Sequence, residues 1–441
     1  MTEGPQSDRP RRVGVLSLHN SKETKAILNA IEALGHDPVW LREENMETWI
    51  ANGAVRFEPD VDVIVNRLLL TKGLRPLEDL GVAGVYIDNR PVLNPPSAVL
   101  KAVHKAAAAT SLVAAGIPVP ESIQVFTEST FRSGLEAFGG QAVHKPAVGT
   151  NGQRLRLVSE GESIPPVIGH RRTLLQEFIT TEGDTPWDLR VYVVDGQVLG
   201  GMRRYAPTGD WRTNVALGGD AEDGSDRLDP EAKQLAKRAA EVLELDYAGI
   251  DLIRRDRDWY VLEANPTAGF KGFFGATGTS PAPHIARLAV ETVGGLIDDA
   301  RVGELSRTLD DSVPACKPPV DDGPTDSGIV GFTEEITVNG TQDMTTVIAK
   351  ADTGAKRTSI DTKIAATIGA GPVTDTVQVT SGTQRVRQVR PVVEIRLRLA
   401  GCWHTVTASI EDRSHMEYPI LLGRDVLSGH QVDLERRANE E

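Results

Sequence analysis

The sequence predicts two folds in tandem: an α/β body followed by an all-β domain. Three observations lead there. Strand-length apolar runs alternate with helical patterns through roughly the first 300 residues, the arrangement that builds sheets covered by helices. A stretch dense in Pro, Asp and Gly, "LDDSVPACKPPVDDGPTDSG", then interrupts both patterns, as linkers do. From Ile329 onward, short β-branched runs separated by turns take over, which marks an all-β domain. A chain of 441 residues has room for roughly two to four domains, each with its own core. The expected division is 12–95, 96–300, a linker over 301–327, and 328–436.

Taken in order, "RVGVLSL" reads as a buried strand, and Ser21 to Leu34 as an amphipathic helix ending at Gly35. "VDVIVNRLL" and "AGVYIDN" add further strands, giving a parallel sheet. "NPPSAVLKAVHKAAAATSLVAAGIPVP" reads as a turn, one long Ala-rich helix and a Gly-Ile-Pro exit. Residues 120–300 alternate short strands and helices. In the last domain the strands are "GIVGFTEEITV", "TTVIAKA", "VRPVVEIRLRL" and "HTVTASI".

The net charge of −14 argues against nucleic acid as a partner. Only 13 of the 48 basic residues are Lys, and acid excess with scarce Lys points to a high-salt cytoplasm such as that of a halophilic archaeon. The two cysteines, Cys316 and Cys402, cannot build a disulfide framework, in keeping with a reducing cytosol. The opening "MTEGPQSDRPRR" lacks the apolar core of a signal peptide, and no run has the length of a membrane span. A cytoplasmic protein is expected.

Four separated segments carry the first chemistry. Lys105 sits in the Ala-rich helix, Lys145 in "AVHKPAVGTNGQ", and Gln176 and Glu177 end the apolar strand of "LLQEFI". The fourth is "GIDLIRRDRDWYVLEANPTAG". If "GIDLI" and "WYVLEAN" pair as a hairpin around Arg257, Asp251 falls opposite Glu263. Glu263 and Asn265, two apart on a strand, face the same side. Three oxygen-bearing side chains then converge, a set that suits magnesium shared with phosphate oxygens. Taken singly, each segment also reads as a surface lysine, a turn or a solvated hairpin face.

Together and in this order, the segments resemble the RimK-type α-L-glutamate ligases of the ATP-grasp superfamily. "NPPSA", "GIPVP", "VHKPAVGTNG", "QEFI", "WDLRVYVVDGQVLGGMRR", "GDWRTNVALGG", "AGIDLI" and "EANPTAGF" carry the match over about residues 12–300. The resemblance implies a pre-ATP-grasp α/β domain followed by an ATP-grasp domain. It implies that Lys105 and Lys145 bind ATP phosphates, and that Gln176, Glu177, Phe178 and Ile179 hold adenine and ribose. Asp188 and Arg190 would line the nucleotide or substrate cleft. Asp251, Glu263 and Asn265 would hold two magnesium (or manganese) ions, while Arg204, Arg212 and Asn214 would meet an acyl phosphate. Two departures, "TAGFKG" with Lys271 and His144 before the nucleotide lysine, bear on the substrate rather than on ATP. The chemistry agrees: a carboxylate is inert toward an amine until phosphoryl transfer activates it, and that step needs positioning and charge neutralisation.

The β domain raises a second chemistry. Asp352-Thr353-Gly354 follows the apolar run "TTVIAKA", and "YPILLGRDVL" stands about seventy residues later. With "ADTGAKRTSID" and "RPVVEIRLRL", these resemble the RimB-type retropepsin-like proteases, once described as ATP-dependent zinc proteases. The resemblance implies a β barrel over 328–436 with Asp352 as a catalytic carboxylate. Aspartic proteolysis uses two carboxylates sharing one proton, so activity implies a homodimer or higher oligomer with one Asp352 from each chain. Asp326-Ser327-Gly328 spells the same motif without an apolar strand before it and reads as coincidence. "CWH" with His415 lacks the pattern of a zinc site.

The two halves would act on one kind of bond. A ligase adding glutamates to a carboxylate, and a protease removing them, would edit tail length on one acceptor. That acceptor is a ribosomal or other protein C-terminus, or a coenzyme. Two alternatives stay open: a coenzyme or carrier-protein amino-acid ligase whose C-terminal module only dimerises or binds peptide, and a nonenzymatic ATP-sensing, peptide-binding protein.

Overall fold

A computed structural model describes residues 9–19, 21–70, 76–148, 155–161, 173–213, 219–225, 228–317, 328–371, 373–380 and 387–438. The chain forms two compact units, Met1–Pro318 and Pro319–Glu441. The first begins with a four-stranded parallel sheet in the order Asp37–Leu41, Arg12–Leu16, Val63–Asn66, Val92–Leu93. The helix Lys22–Ala33 covers it. Ser21 caps this helix by accepting from the Thr24 amide, and Ala26, Ile27, Ala30 and Ile31 form its buried face. Gly35 ends it at φ +83.

Two expectations fail here for physical reasons. "AGVYIDN" is not a strand. The helix Pro76–Gly84 runs into it and the chain then turns, with the amides of Val85, Tyr86 and Ile87 bonded to the carbonyls of Gly81, Ala83 and Gly84. Tyr86 is buried against Phe57 while Val85 and Ile87 are exposed, an alternation that imitates a strand. The Ala-rich segment is also not one helix. Pro96–Val103 and Lys105–Ala114 are separated at His104, which takes extended backbone angles and caps the second helix. The break lets His104 bridge Val148 and lets the Lys105 amide donate to the Ala147 carbonyl at 2.9 Å.

Two antiparallel sheets follow. The smaller runs Ser122–Val125, Thr173–Glu177, Gln141–Pro146, Arg156–Ser159; the larger runs Asp220–Asp223, Gln197–Tyr205, Trp187–Val194, Tyr247–Arg255, Asp258–Asn265. The helix Pro230–Val242 packs Leu235, Ala236 and Ala239 beneath the larger sheet. Asn94 ties the parallel sheet to it. Its amide donates to the carbonyls of Tyr247 and Pro266, and its oxygen accepts from the amides of Asp246 and Tyr247, which uses its full bonding capacity. Residues 306–317, expected in the linker, are held on this unit. Ser306 accepts from the Ser280 amide, Asn29 donates to the carbonyls of Asp310 and Ser312, and Lys22 pairs with Asp311. The remainder of that segment, 318–327, lies outside the described residues, and the second Asp-Ser-Gly begins there.

The second unit is a barrel. The strands Arg387–Leu399, Cys402–Glu411, Ser359–Asp361, Ile420–Leu422, Met344–Ala351 and Ile329–Asn339 pair in turn, and Ile329–Asn339 pairs back with Arg387–Leu399. Inward Val338, Ala349, Ile360, Val393, Leu397 and Ala408 fill it, and closure removes strand edges from the ring. Among the described residues no helix is long and apolar enough to cross a membrane.

Candidate functional site

A cleft of about 840 Å³ opens within the first unit, bounded by residues of both antiparallel sheets. The hairpin of Tyr247–Arg255 and Asp258–Asn265 supplies one wall. Its register pairs Asp251 with Glu263, as the sequence predicts, and Gly249 with Asn265. Asp251 pairs on its other side with Arg190, and Asp188 pairs with Arg204 one strand further on. Cross-strand neighbours of opposite charge thus form a row across one face.

The row is a closed ion network. Arg190 donates Nε and Nη2 to the two oxygens of Asp251 at 2.6 and 2.7 Å. Arg204 donates to both oxygens of Asp188 at 2.6 Å and reaches Asp251 at 3.0 Å. Asn265 donates to Asp251 at 3.3 Å, and Thr213 donates to Asp188 at 2.6 Å. Burial pushes the Asp251 carboxyl up, but Arg190 and Arg204 outweigh it and hold it at about 2. Burial also works against the charge on Arg204, yet Asp188 and Asp251 keep its pKa above the usual arginine value.

Lys145 lines the cleft, and Lys105 lines a smaller pocket that shares Lys145, Gln176, Leu262 and Glu263 with it. Lys105, at the start of its helix, lies 3.3 Å from Glu263. Lys145, on Gln141–Pro146, donates to Gln176 at 2.5 Å, and Gln176 donates on to Ser122. Burial lowers Lys145 to about 8; Glu263 opposes this and Lys105 adds to it. Both lysines are less than a tenth exposed, which is uncommon for this residue.

Phe178 and Ile179 line the cleft, with Trp211 edge-on to Phe178 at 5.7 Å. Glu177 lines it too, but its carboxylate is engaged by Arg255 at 2.6 Å and the Glu121 amide at 2.9 Å. Arg212 also borders the cleft, where Asp210 grips it through two nitrogens. Asn214 lies outside the described residues, as does the "GTNG" stretch after Lys145. Val143 and Ile253 also line the cleft, and alternation from Lys145 and Asp251 could have found them. Leu262 could not be found that way. The register skips it between Val261 and Glu263, so this bulged residue and its neighbour both reach the cleft.

In the second unit, Asp352 ends Met344–Ala351. Its amide donates to the Leu422 carbonyl, and its Oδ1 accepts from the amides of Gly354 and Ala355 at 3.0 and 3.1 Å. The strand Ile420–Leu422 runs parallel beside Ala349–Ala351. Gly423 then passes so close to the following loop that a Cβ would lie 2.4 Å from the Arg357 carbonyl carbon, so only glycine fits. Asp425 accepts from the Thr358 amide and hydroxyl, and the Thr358 oxygen accepts from the Gly423 amide. That carboxylate therefore braces the loop and is not a second free acid beside Asp352. Among the described residues no cluster of three His, Cys, Asp or Glu side chains is arranged for a metal ion.

Residues 102–288 match the RimK-like ATP-grasp domain family. A probable alpha-L-glutamate ligase 2 of Hahella chejuensis is 28% identical over 302 residues, covering 64% of this chain and 96% of the relative. The tetrahydromethanopterin:alpha-L-glutamate ligase of Methanosarcina acetivorans is 32% identical over 245 residues, 48% of this chain and 71% of the relative. Among solved structures, the ATP-grasp ligase PsnB complexed with a precursor variant, Mg and ADP superposes with a TM-score of 0.52 at 20% identity. That match covers 64% of this chain and 98% of PsnB, a likeness of fold. By these matches the chain belongs to the RimK-like ATP-grasp α-L-glutamate ligase family.

Proposed function

We propose that the first unit is an ATP- and Mg²⁺-dependent (or Mn²⁺-dependent) carboxylate–amine ligase that adds glutamate to a carboxylate acceptor through an acyl phosphate. One observation carries this reading: Lys145, Asp251 and Glu263 line one cleft, with buried Lys105 against Glu263 and Asn265 against Asp251. Val143, Phe178, Ile179 and Leu262 offer adenine a dry slot. Lys105 and Lys145 neutralise phosphate charge, and Arg190 and Arg204 face the reacting carboxylate. The donor set fits a hard cation: Asp251 is held ionised by its neighbours, and the other two side chains supply oxygen donors. Asp251, Glu263 and Asn265 would hold the cation, or two of them, in competition with the guanidinium groups now on Asp251. Bound there, magnesium supplies charge neutralisation for phosphoryl transfer. The relatives' names support glutamate as the added amino acid. The test is ADP release by the purified chain with ATP, Mg²⁺ and an amino-acid panel, with product masses read on the acceptor. Absence of amino-acid-dependent ADP from every acceptor offered, protein or coenzyme, overturns the reading.

For the second unit we propose a retropepsin-like peptidase that trims the same product. The support is the turn that presents Asp352 and the brace built from Gly423, Thr358 and Asp425 beneath it. Asp352 would need its equivalent from a second chain to share a proton and activate water. A second reading draws on that same lone carboxylate: the barrel only dimerises or binds peptide. Release of glutamate from oligoglutamate, abolished by Asp352→Asn, separates the two.

A further inference from the structure

The parallel sheet contains a feature that the nucleotide cleft does not use. From Arg12–Leu16 the chain passes to one side, toward Asp37–Leu41, and from Val63–Asn66 to the other, toward Val92–Leu93. Such switch points open the crevice in which α/β sheets take ligands. Arg67 is the first residue beyond Asn66, and its amide donates to the Leu16 carbonyl at 2.9 Å, which fixes it at that point. The residue is 3% exposed. Its Nη2 reaches the carbonyls of Thr267 and Ala268 only at 3.5 and 3.4 Å, and the guanidinium lies over the Phe270 ring at 5.2 Å. Nε and Nη1 have no hydrogen-bond partner of normal geometry. The Tyr247 hydroxyl donates to the Asn66 carbonyl and offers its oxygen to the guanidinium, a neutral partner that does not balance the charge. Glu23, on the neighbouring helix, gives its Oε1 to the Phe270 amide. Among the described residues no carboxylate pairs with Arg67.

An arginine does not discharge by losing its proton, and a buried, unpaired charge costs several kcal/mol. The arrangement calls for an anion. Thr267 is two residues beyond Asn265, at most about 7 Å of chain, so the guanidinium lies close to the end of the acidic hairpin. The phosphates already have Lys105 and Lys145, and the activated carboxylate has Arg190 and Arg204. The anionic group left over, present on any incoming amino acid, is its own α-carboxylate. We propose that Arg67 binds that carboxylate and so holds the attacking amine toward the acyl phosphate. This rests on the ligase reading above.

The test is thermal unfolding of the full chain with AMP-PNP and Mg²⁺, then with L-glutamate, its α-amide or each other amino acid added. For wild type, AMP-PNP raises Tm, one amino acid raises it further, and the α-amide of that amino acid does not. Arg67→Met keeps the AMP-PNP shift, which shows that it folds, and loses the amino-acid shift. Arg67→Lys, which keeps the charge and covers the case of an unfolded Met variant, binds the amino acid about tenfold more weakly. An amino-acid shift undiminished in the variants overturns the proposal, as does no amino-acid shift in wild type. If an amino acid other than glutamate gives the shift, the role of Arg67 stands and the glutamate assignment falls. If AMP-PNP gives no shift in wild type, the ligase reading fails and this inference fails with it.

Discussion

Asp251 and Asp352 are both carboxylates at chemically suggestive positions, yet their surroundings differ in kind. Asp251 is buried, held by two guanidiniums and an amide drawn from three other strands. Asp352 is half-buried, and the bonds to its Oδ1 come from its own turn. The first environment is built from long-range pairs and fixes an ionised acid. Among the described residues, the second presents an acid without an ion-pair partner. A site of the first kind can be complete in one chain. One of the second kind, if it hydrolyses peptides, needs a second acid from elsewhere.

The sharpest way to break this contrast is at the acidic hairpin. Glu263→Ala should reduce amino-acid-dependent ADP formation by about a hundredfold or more, with circular dichroism unchanged. Near-normal turnover would remove the hairpin from the site. Asp352→Asn should leave that turnover intact and lengthen product tails, because its unit has its own core; unchanged tails would favour the inert-barrel reading. Light scattering of the full chain should find at least a dimer wherever trimming is active, and a monomer that trims would refute the shared pair of aspartates. Asp188→Ala should destabilise the first unit by about 3 kcal/mol, because Arg204 stays buried with only its longer contact to Asp251. Equilibrium denaturation measures this, and the same change at Asp352 should cost far less.

The smallest effect concerns pH. Lys145 titrates at about 8 without nucleotide, and bound phosphate should raise that value. Binding then takes up a proton, and AMP-PNP affinity should fall as pH rises through about 8. Titration calorimetry in buffers of different ionisation heat reads the uptake, which should vanish in Lys145→Arg. For folding the sign is that of a carboxylate whose value is lowered, and the reverse of a lysine whose value a partner raises. The lowered value means the unfolded chain binds more protons above pH 8, so this group favours the folded state increasingly as pH rises from about 8 toward 10.5.

Local patterns reveal one side of this contrast better than the other. Pairing the two strands about Arg257 put Asp251 opposite Glu263, yet the regular register from Arg255 and Asp258 leads to Leu262, and the bulge there is what restores the pair. The arginines that grip Asp251 lie 61 and 47 residues earlier, and their pairing depends on strand order, which alternation does not encode. The bulge at Leu262 and the helix break at His104 answer to contacts made elsewhere, so the helical pattern around His104 reads as continuous. In the barrel, Asp352 was legible from its motif. The bracing role of Asp425 was not, since it depends on Thr358, 67 residues away.

The break at His104 has a consequence for how this protein tolerates change. The Lys105 amide holds the Ala147 carbonyl, and His104 bridges Val148. Lys105 and Lys145 are thereby held near one another by main-chain contacts. The excursion between them, from Ala115 to Gly140, can lengthen or shorten at its exposed turns without moving either ammonium group. Gly139 and Gly140, both at positive φ, mark a place where an inserted reporter peptide should leave nucleotide affinity unaltered.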